Sequence, residues 1–546
     1  MSSATHEEAA RDAALTVAAP APSGARRRAA RENSPSRREL RVVLAWALAA
    51  FALRLAVTLC FEQVITPDGV EYVALGRRLV AGDIANGMST YWAPLYPALV
   101  GVASLVFRDA EFAGRFVSVV AGALLVLPAH RLARRWYGRR VALVCVALVA
   151  LHPLLVYYST MLLTESAYTL LFTCGVLAGW SALSGTRARA YAAAGAVVGT
   201  CYLLKPEAYG FVPLLLLMIL ARRFLTKAGP RGSSWKNALL FVAGFLAAAS
   251  PQILYFRWRI GGWMLSGKTA GHLLLGAGEG STTPVGGVAD AAVVIAKALR
   301  FEYEIFNLIF PTAFVLLVAL GLFRRRWTRA RALRELYLLA FVAAALAGYA
   351  VTLPNIRFLA PLLPLLLCWV SKGIAEFAAW SRETLARLRA AEGLRARAGR
   401  LVAPLAVALL VASLVPLFAY LMRGDKWGDY YAQKRAGVWI KEREGARGAG
   451  GAPAVVSTAP VAAFYAGGRN VVLKGEDYDG LISLARREGA AYVVVSERDF
   501  RRTDTLGALL DARAQHRGLR LAREFTEAPG GRVLVYEVEA DAGGGR

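Results

Sequence analysis

The sequence predicts a polytopic α-helical membrane protein with a small α/β domain at its C-terminal end. The first observation is a series of apolar runs in a chain of 546 residues that is 57% hydrophobic. Many of these runs reach the roughly 18 residues that a helix needs to cross about 30 Å of hydrocarbon. The second observation is that the runs stop after residue 422, where short strand-like and helix-like runs begin to alternate. Such alternation is typical of an α/β domain.

The third observation is the distribution of charge. The net charge of +27 resides largely in arginine-rich loops between apolar runs, as is typical of the cytoplasmic loops of multi-pass proteins. Residues 1–39 are also basic and are predicted to form a disordered cytoplasmic tail. We therefore interpret the basic loops as markers of the cytoplasmic side of the membrane, where they would also contact anionic lipid. We exclude nucleic acid as a partner.

Residues 40–422 form the predicted membrane domain, with about 11 to 13 spans, a cytoplasmic N-terminus and an extracytoplasmic C-terminal domain. The predicted spans are approximately 40–64, 112–132, 141–158, 161–183, 190–204, 209–220, 238–256, 305–323, 336–353, 358–378 and 401–422. Residues 95–107 are apolar but too short to cross alone, which favours a re-entrant or interfacial helix. A chain of this kind is expected in the plasma (inner) membrane.

Residues 423–540 form the predicted extracytoplasmic domain, and 541–546 a disordered tail. Strands are expected at 454–457, 470–473, 491–495 and 533–538, and helices at 481–488 and 505–514. An amphipathic helix is expected to begin near Asp425 and run to Lys441. In that helix Trp427, Tyr431 and Trp439 are predicted to dock against the membrane face.

The first outer loop, 65–111, contains the stretch around which the functional prediction is built. It holds the first acids after the first span, Asp68 and Glu71, then an amphipathic helix, and then a cluster of proline and aromatic residues that includes Trp92 and Tyr96. Ionisable groups beside a bilayer are costly, so their placement is informative. This loop therefore predicts a site at the boundary between lipid and water.

The outer ends of other predicted spans supply further charged residues: Glu165, Lys205, Glu207 and Arg357. Carboxylates and cations in one outer cavity suit the transfer of a group from a phosphate-bearing lipid to a hydroxyl or amine. A carboxylate would act as general base, and Lys and Arg would hold the phosphate. Tyr72, Tyr96 and Lys268, the last in the long outer segment 257–303, complete the set expected to contact substrate.

Most of these residues also have an ordinary structural explanation. Asp68 could cap a helix that begins at Gly69, and Glu71 one turn later could complement the helix dipole. The charged residues at span ends could serve only as helix caps or as anchors to lipid headgroups: Glu165, Lys205, Glu207 and Arg357. Trp92 and Tyr96 could belong to an aromatic belt at the membrane surface.

Neither the five cysteines nor the five histidines show metal-ligand spacing, and no C-x-x-C pair occurs. The sequence therefore requires no cofactor. A divalent ion held by Asp68, Glu71 and Glu165 is chemically conceivable through oxygen ligands, but no spacing supports it.

Four motifs occur in order along the predicted outer surface: Asp68-Gly-Val-Glu-Tyr72, Ala93-Pro-Leu-Tyr-Pro97, Lys205-Pro-Glu207, and the run from Arg357 to Pro364. With them the chain, over roughly 40–538, resembles the GT-C glycosyltransferases, specifically the bacterial relatives of family 39. That group includes protein mannosyltransferases and the lipid A aminoarabinose and galacturonic-acid transferases. A C-terminal α/β domain is also usual in its bacterial members.

The resemblance implies a GT-C fold, a polyprenyl-phosphate sugar donor, inversion at the anomeric carbon, and a lipid, glycan or protein acceptor. It implies that Asp68 is the base and that Lys205, Glu207 and Arg357 lie near the donor phosphate. Two departures stand out. Gly69 follows Asp68 where eukaryotic protein mannosyltransferases have Glu, which disfavours protein O-mannosylation. Lys205 stands where Arg is usual, which loses the bidentate fork.

Three alternatives stay open at the level of sequence. Within the enzymes, the acceptor could be an arabinan or mannan polymer. From another class, the chain could be a transporter or flippase for a lipid-linked sugar, although transporters tend to carry midplane charges and internal repeats. A third alternative is a degenerate binding or assembly protein, against which the presence of Asp68 argues.

Overall fold

The computed structural model describes residues 36–185, 187–225, 233–267, 296, 299–300, 303–304, 309–350, 355–388, 392–423, 428–448, 451–500, 506–527 and 531–539. These residues divide into two compact units. The first unit comprises the described residues up to Val57 together with Leu75–Phe418. The second comprises Thr58–Ala74 and the described residues from Ala419 onward. The segment that carries Asp68 is thus grouped with the C-terminal unit.

The helices before residue 423 are numbered in chain order. Their bounds are α1 Arg37–Cys60, α2 Pro67–Val80, α3 Ile84–Gly87, α4 Leu95–Ser104, α5 Ala110–Leu124, α6 Val126–Tyr137, α7 Arg139–Leu151, α8 Pro153–Thr160, α9 Glu165–Ser184, α10 Arg189–Tyr202, α11 Phe211–Leu225, α12 Ser233–Ile260, α13 Thr312–Phe323, α14 Arg329–Ala350, α15 Ile356–Leu359, α16 Leu363–Arg387, α17 Glu392–Ser413 and α18 Val415–Met422. Short 3-10 helices occur at Pro206–Gly210 and Ala360–Leu362.

Among the described helices, six are long and apolar enough to cross a membrane by length and composition. A seventh span results if the bent pair α7 and α8 is counted as one. Every predicted span overlaps one of the helices above, and the short apolar stretch after residue 95 forms the ten-residue helix α4. The prediction of a polytopic helical membrane protein is therefore confirmed, whereas the count of about 11 to 13 spans stays a prediction.

The bend between α7 and α8 measures 49° and occurs where Pro153 follows His152. His152 is extended (φ −61°, ψ 122°), as is typical of a residue that precedes proline. The break leaves carbonyl groups at the end of α7 without helical partners. Arg54 of α1 is fully buried and donates to the carbonyls of Val149 and Ala150 at 3.3 and 2.9 Å. An arginine inside the first span therefore stabilises the break in another span.

Small residues allow α10 and α12 to pack closely in the first unit. A Cβ added at Gly195 would lie 1.9 Å from the carbonyl oxygen of Phe241. One at Gly244 would lie 2.0 Å from the carbonyl oxygen of Ala192. Contacts of this kind are typical of membrane helices, where small side chains let the backbones approach.

The second unit contains a five-stranded mixed sheet with the strand order β2-β1-β3-β5-β4. Its elements are α19 Gly428–Ala446, β1 Ala454–Ser457, α20 Val461–Ala466, β2 Arg469–Val472, α21 Tyr478–Arg487, β3 Tyr492–Ser496, α22 Glu497–Phe500, β4 Leu519–Glu527 and β5 Gly531–Val538. Strand β1 runs parallel to β2 and β3, and β5 runs antiparallel to β3 and β4.

Helices cover both faces of this sheet. Leu481 and Ala485 of α21 are buried against one face, and Ala436 and Ile440 of α19 against the other. Because apolar side chains on both faces leave water together, the unit has its own core. The predicted small α/β domain is confirmed as a fold.

Two details of this unit differ from prediction. Strand β4, one of the two edge strands of the sheet, was not predicted because five of its nine residues in Leu-Arg-Leu-Ala-Arg-Glu-Phe-Thr-Glu are polar or charged. The predicted helix at 505–514 is wrong for its described part, where a 3-10 turn spans Gly507–Leu510. Leu506 and Leu509 already reach the core from this single turn, so their helical spacing does not require a longer helix.

The helix predicted to run to Lys441 is α19, which continues to Ala446. Trp427 lies outside the described residues. Tyr431 donates its hydroxyl to the carbonyl oxygen of Glu62, and the ring of Trp439 makes edge contacts with Tyr492 and Phe525. Both aromatic residues therefore contact their own unit, and their docking against a membrane stays a prediction.

Candidate functional site

Asp68 lies in the first turn of α2, but Thr66 rather than Asp68 caps this helix. Thr66 Oγ1 accepts a hydrogen bond from the backbone N–H of Gly69 at 3.2 Å, and its carbonyl oxygen accepts from Val70. Pro67 occupies the first helical position, where its missing N–H costs nothing. The alternative in which Asp68 is the N-cap of a helix beginning at Gly69 does not fit this geometry, because the helix begins at Pro67. Asp68 is half-buried, and its carboxylate is not the group that caps α2.

Glu71 and Tyr72 follow on the same helix with opposite environments. Glu71 is exposed, whereas Tyr72 is 5% exposed. Because α2 begins at Pro67, Glu71 is its fifth residue and lies beyond the first turn, where the helix dipole acts most strongly. The dipole explanation for Glu71 is therefore weaker than the sequence suggested. Contact of either residue with a substrate stays a prediction.

In the first unit, the structure brings together three of the predicted residues, Glu165, Lys205 and Arg357. Lys205 Nζ donates to Glu165 Oε1 at 2.8 Å, and Arg357 Nε lies 3.9 Å from the same oxygen. The Glu165 side chain is 1% exposed, Lys205 15% and Arg357 33%. We refer to these three residues as the Glu165 cluster. Its two cations act on a single carboxylate, so it carries a net positive charge.

The local sequence determines how each member reaches the cluster. Glu165 is the first residue of α9, where a carboxylate is favoured by the helix dipole. Lys205 is extended (φ −143°, ψ 121°) because it precedes Pro206. Asn355 accepts a hydrogen bond from the backbone N–H of Arg357 and so begins the short helix α15. Each member thus stands at the beginning of a helical segment.

Two aromatic rings flank the amine of Lys205. Its Nζ lies 5.5 Å from the ring centroid of Tyr168 and 5.4 Å from that of Phe358. Arg357 also stacks on Phe358, with Cζ 5.2 Å from the centroid. Such contacts favour a desolvated cation. Sequence analysis did not identify these two rings. Only their positions in the sequence could have indicated them. Tyr168 lies three residues after Glu165 and so shares its face of α9, and Phe358 directly follows Arg357.

Tyr96 lies in α4 and is fully buried. Its hydroxyl donates to the carbonyl of Gly114 at 3.2 Å and lies 2.7 Å from Ser118 Oγ. Ser118 Oγ in turn donates to the carbonyl of Leu163, two residues before Glu165. These contacts indicate that Tyr96 positions the segment before α9. The neighbouring residue Leu95 donates its N–H to the carbonyl of Leu203, which places the Ala93–Pro97 motif beside the Lys205 motif.

The remaining predicted residues are less informative. Glu207 is half-buried in the 3-10 helix Pro206–Gly210. Lys268 lies outside the described residues. Within the described part of the chain, no group of three or more His, Cys, Asp or Glu side chains is arranged to hold a metal ion.

A family model described as dolichyl-phosphate-mannose-protein mannosyltransferase matches residues 92–255. Two curated relatives are the undecaprenyl phosphate-α-4-amino-4-deoxy-L-arabinose arabinosyl transferases of Pseudomonas aeruginosa strains LESB58 and PAO1. Each is 28% identical to this chain over 230 residues, which is 39% of this chain and 39% of the relative. The chain therefore matches well under half the length of these curated relatives.

Solved structures resemble the chain over a larger part of its length. ArnT from Cupriavidus metallidurans bound to undecaprenyl phosphate has a TM-score of 0.57 at 14% identity, and covers 93% of this chain and 99% of its own. The apo form has a TM-score of 0.60, with coverage of 91% and 97%. The oligosaccharyltransferase of Archaeoglobus fulgidus has a TM-score of 0.51 at 12% identity, with coverage of 84% and 69%.

These likenesses establish the fold. The chain has the GT-C fold that the sequence motifs implied, and the expected resemblance to aminoarabinose transferases is confirmed. Together with the long apolar helices, they identify a multi-pass membrane protein.

Proposed function

We propose that the protein is an integral-membrane glycosyltransferase that moves a sugar from a polyprenyl-phosphate donor to an extracytoplasmic acceptor, with inversion at the anomeric carbon. The observation that carries this proposal is the Glu165 cluster, in which two partly buried cations face a single buried carboxylate. The likeness to an ArnT structure that binds undecaprenyl phosphate supports it. The acceptor is a lipid, a glycan or a protein of the cell envelope.

The chemistry assigns a separate role to each charge. Lys205 and Arg357 bind the donor phosphate, because charge-assisted hydrogen bonds to phosphate are strong where water is excluded. An acceptor hydroxyl or amine attacks the anomeric carbon, and the bond from that carbon to the phosphate oxygen breaks. The phosphate leaves with its negative charge, so this step needs no proton donor.

Glu165 orients the two cations in this scheme and is not the base. Its Oε1 is already engaged by Lys205 and Arg357, so this oxygen holds the two cations and does not face the acceptor. Its Oε2 has no hydrogen-bond partner among the described residues, so this oxygen is available to accept a hydrogen bond from a donor hydroxyl.

Asp68 is the proposed general base that removes the proton of the acceptor. It is a half-buried carboxylate in the first turn of α2, and Thr66 performs the capping role that would otherwise explain it. Glu71 is the second candidate for the base, although its exposure makes it less suited to proton transfer in a site that excludes water.

The proposed orientation follows the positive-inside rule. The arginine-rich loops, such as that at 131–140, face the cytoplasm of a plasma (inner) membrane. Asp68, Glu165, Lys205 and Arg357 then belong to the opposite, extracytoplasmic side, and so does the second unit. The transporter alternative has no specific observation in its favour, and the relatives reported above are transferases.

The decisive experiment is sugar transfer by the purified chain in nanodiscs, with a panel of labelled polyprenyl-phosphate sugars and membrane acceptors. We expect Asp68→Asn to reduce transfer by about a hundredfold, as is usual for the loss of a general base. The matched control is Asp83→Asn, since Asp83 caps α3 and asparagine is an equally good cap. We expect this control to keep wild-type activity.

Two results would contradict the proposal. Transfer by Asp68→Asn at the wild-type rate would remove Asp68 from the mechanism and leave Glu71 as the base. Movement of intact lipid-linked sugar between leaflets, with no transfer from any donor, would replace the enzyme with the transporter alternative.

A further inference from the structure

A shallow groove of about 270 Å³ lies in the second unit between α19, β4 and Glu62. We refer to it as the α19–β4 groove. The side chains that characterise its lining are Lys434, Arg435, Trp439, Arg523 and Phe525. None of these residues belongs to the Glu165 cluster, and the proposed sugar transfer uses none of them. The groove is therefore a separate feature that combines cations with aromatic rings.

One cation in the groove differs from the others in its partners. Lys434 Nζ lies 2.8 Å from Glu62 Oε1, and Arg435 pairs with Glu527. Arg523 is exposed and forms no ion pair with any carboxylate in the part of the chain that the structure describes. The other acid in the lining, Glu442, is also exposed. The groove thus presents one guanidinium whose charge is not neutralised by a described partner.

Aromatic stacking holds this guanidinium in place. Arg523 Cζ lies 5.2 Å from the ring centroid of Phe525 and 5.9 Å from that of Trp439. Arg443 also stacks on Trp439, with its Cζ 5.0 Å from the ring centroid. Stacking fixes the plane of a guanidinium while leaving its N–H groups at the edge available to oxygen. Because cations already lie over the indole, an anion on Arg523 fits the groove better than a sugar ring stacked on Trp439.

The position of the groove along the chain indicates where the anion would come from. Glu62 lines the groove and lies two residues after Cys60, the last residue of the apolar helix α1. Two residues extend the chain by at most about 7 Å. Leu59 and Phe61 on either side of this helix end are exposed, as expected for contact with lipid. Glu62 is therefore at the depth of the lipid headgroups, where Trp and basic residues are enriched.

We propose that the α19–β4 groove binds the phosphate of an anionic membrane-lipid headgroup, with Arg523 as its principal ligand. Lys434 and Arg435 lie beside it, each in an ion pair with a carboxylate, Glu62 and Glu527, so Arg523 is the cation in the groove that is left to bind the phosphate. The bound lipid would attach the second unit to the bilayer surface. This site is independent of the proposed transferase activity, because it needs neither Asp68 nor the Glu165 cluster.

The test is lipid binding by the full chain in neutral detergent, measured by native mass spectrometry with short-chain phosphatidylglycerol as the probe. Phosphatidylcholine with the same acyl chains is the comparison lipid. We expect Arg523→Gln to weaken the tightest phosphatidylglycerol binding by about tenfold or more, the usual effect of losing a hydrogen bond between charged groups. Arg523→Lys should restore part of the affinity, because it keeps the charge but not the fork.

The matched control is Arg513→Gln, which removes one charge from an exposed position in the same unit. Equal phosphatidylglycerol binding by wild type and Arg523→Gln would overturn the proposal. An equal loss of phosphatidylglycerol affinity in Arg523→Gln and Arg513→Gln would also overturn it, because the binding would then depend only on the net charge of the protein.

Inorganic phosphate and glycerol 3-phosphate distinguish the two sources of a phosphate group. If either binds in an Arg523-dependent way as tightly as the lipid does, the groove serves a soluble phosphate compound and the lipid assignment is wrong. If only the lipid binds, the assignment to a headgroup at the membrane surface stands.

Discussion

Lys205 Nζ donates to Glu165 Oε1 across 2.8 Å, although forty positions separate the two residues and Lys205 lies after the end of a different predicted span. Both side chains are largely buried. A lysine and a glutamate so placed attract each other strongly, because little water lies nearby to screen the two charges. The pair therefore keeps a cation in an apolar environment, and Arg357 adds a second one 3.9 Å from the same oxygen.

The first prediction concerns removal of this cation. Lys205→Met leaves the buried Glu165 carboxylate without its nearest partner, which typically costs about 3–5 kcal/mol for a buried pair. We expect a lower Tm in neutral detergent and a loss of sugar transfer. The double variant Lys205→Met with Glu165→Gln should recover most of the Tm, because the side chain buried at position 165 is then uncharged, but it should not recover transfer.

Arg300→Met is the control for this prediction, since Arg300 and its partner Glu304 are 82% and 57% exposed. Exposed pairs contribute about 0–1 kcal/mol, so its Tm should stay close to that of wild type. If the double variant were no more stable than Lys205→Met alone, the two side chains would not be energetically coupled.

The second prediction separates positioning from substrate contact at Tyr96. Tyr96→Phe removes the hydroxyl that donates to Gly114 and contacts Ser118. We expect a stability loss of about 1–3 kcal/mol, because buried polar groups lose a partner. Since the effect would reach the reaction through the segment before Glu165, kcat should fall while KM for the donor stays unchanged. A raised KM with unchanged kcat would instead indicate that Tyr96 binds the donor directly.

The third prediction concerns Arg54, which donates to two carbonyl groups at the break between α7 and α8, and to Ser159 Oγ at 3.1 Å. Arg54→Leu leaves these carbonyls unsatisfied in a region from which water is excluded, at about 1–3 kcal/mol for each group. We expect a clear fall in Tm. Arg54→Lys should restore little, because an ammonium cannot reproduce the fork.

Arg108→Leu is the matched control for Arg54, since Arg108 is exposed. The same charge is removed, so the free energy of unfolding should change by less than about 0.5 kcal/mol, and Tm should stay close to that of wild type. Equal effects at the two positions would show that the hydrogen bonds at the break do not stabilise the fold.

The fourth prediction is a pH dependence in the second unit. Burial raises the pKa of Glu537, but hydrogen bonds from Arg520, Arg443 and Arg447 outweigh it, and the pKa falls from its ordinary 4.5 to about 2. The folded state therefore binds fewer protons than the unfolded state between these values. The stabilisation is complete above about pH 4.5 and is lost as the pH falls towards about 2.

Hydrogen exchange at β5 should reveal this loss, with protection that declines below pH 4.5 in the wild type. Glu537→Gln should have lower protection at neutral pH and a flatter profile across the same window. Glu539→Gln is the control, because this residue is exposed near the end of the strand. A wild-type pH profile in Glu537→Gln would show that the arginine contacts do not stabilise the sheet.

Much of the molecule could be predicted from local sequence. Membrane-length apolar runs, arginine-rich loops and short strand-like runs each depend on a few adjacent residues, and they identified the helices of the first unit and four of the five strands. The edge strand β4 was missed, because a strand that is exposed on one side carries few of the apolar signals. The sequence also left open whether Asp68 caps α2, since Thr66 and Asp68 both have side chains that can cap a helix.

The sequence by itself determined the class of this protein: a multi-pass helical membrane chain with a C-terminal α/β unit and charged residues at span ends. Only the tertiary structure decided which charges meet. It paired Glu165 with Lys205 and Arg357, placed Tyr168 and Phe358 around the amine, and inserted Arg54 between two other segments. The physical reason is that periodicity and charge are read along the chain, whereas a buried ion pair depends on how distant helices pack.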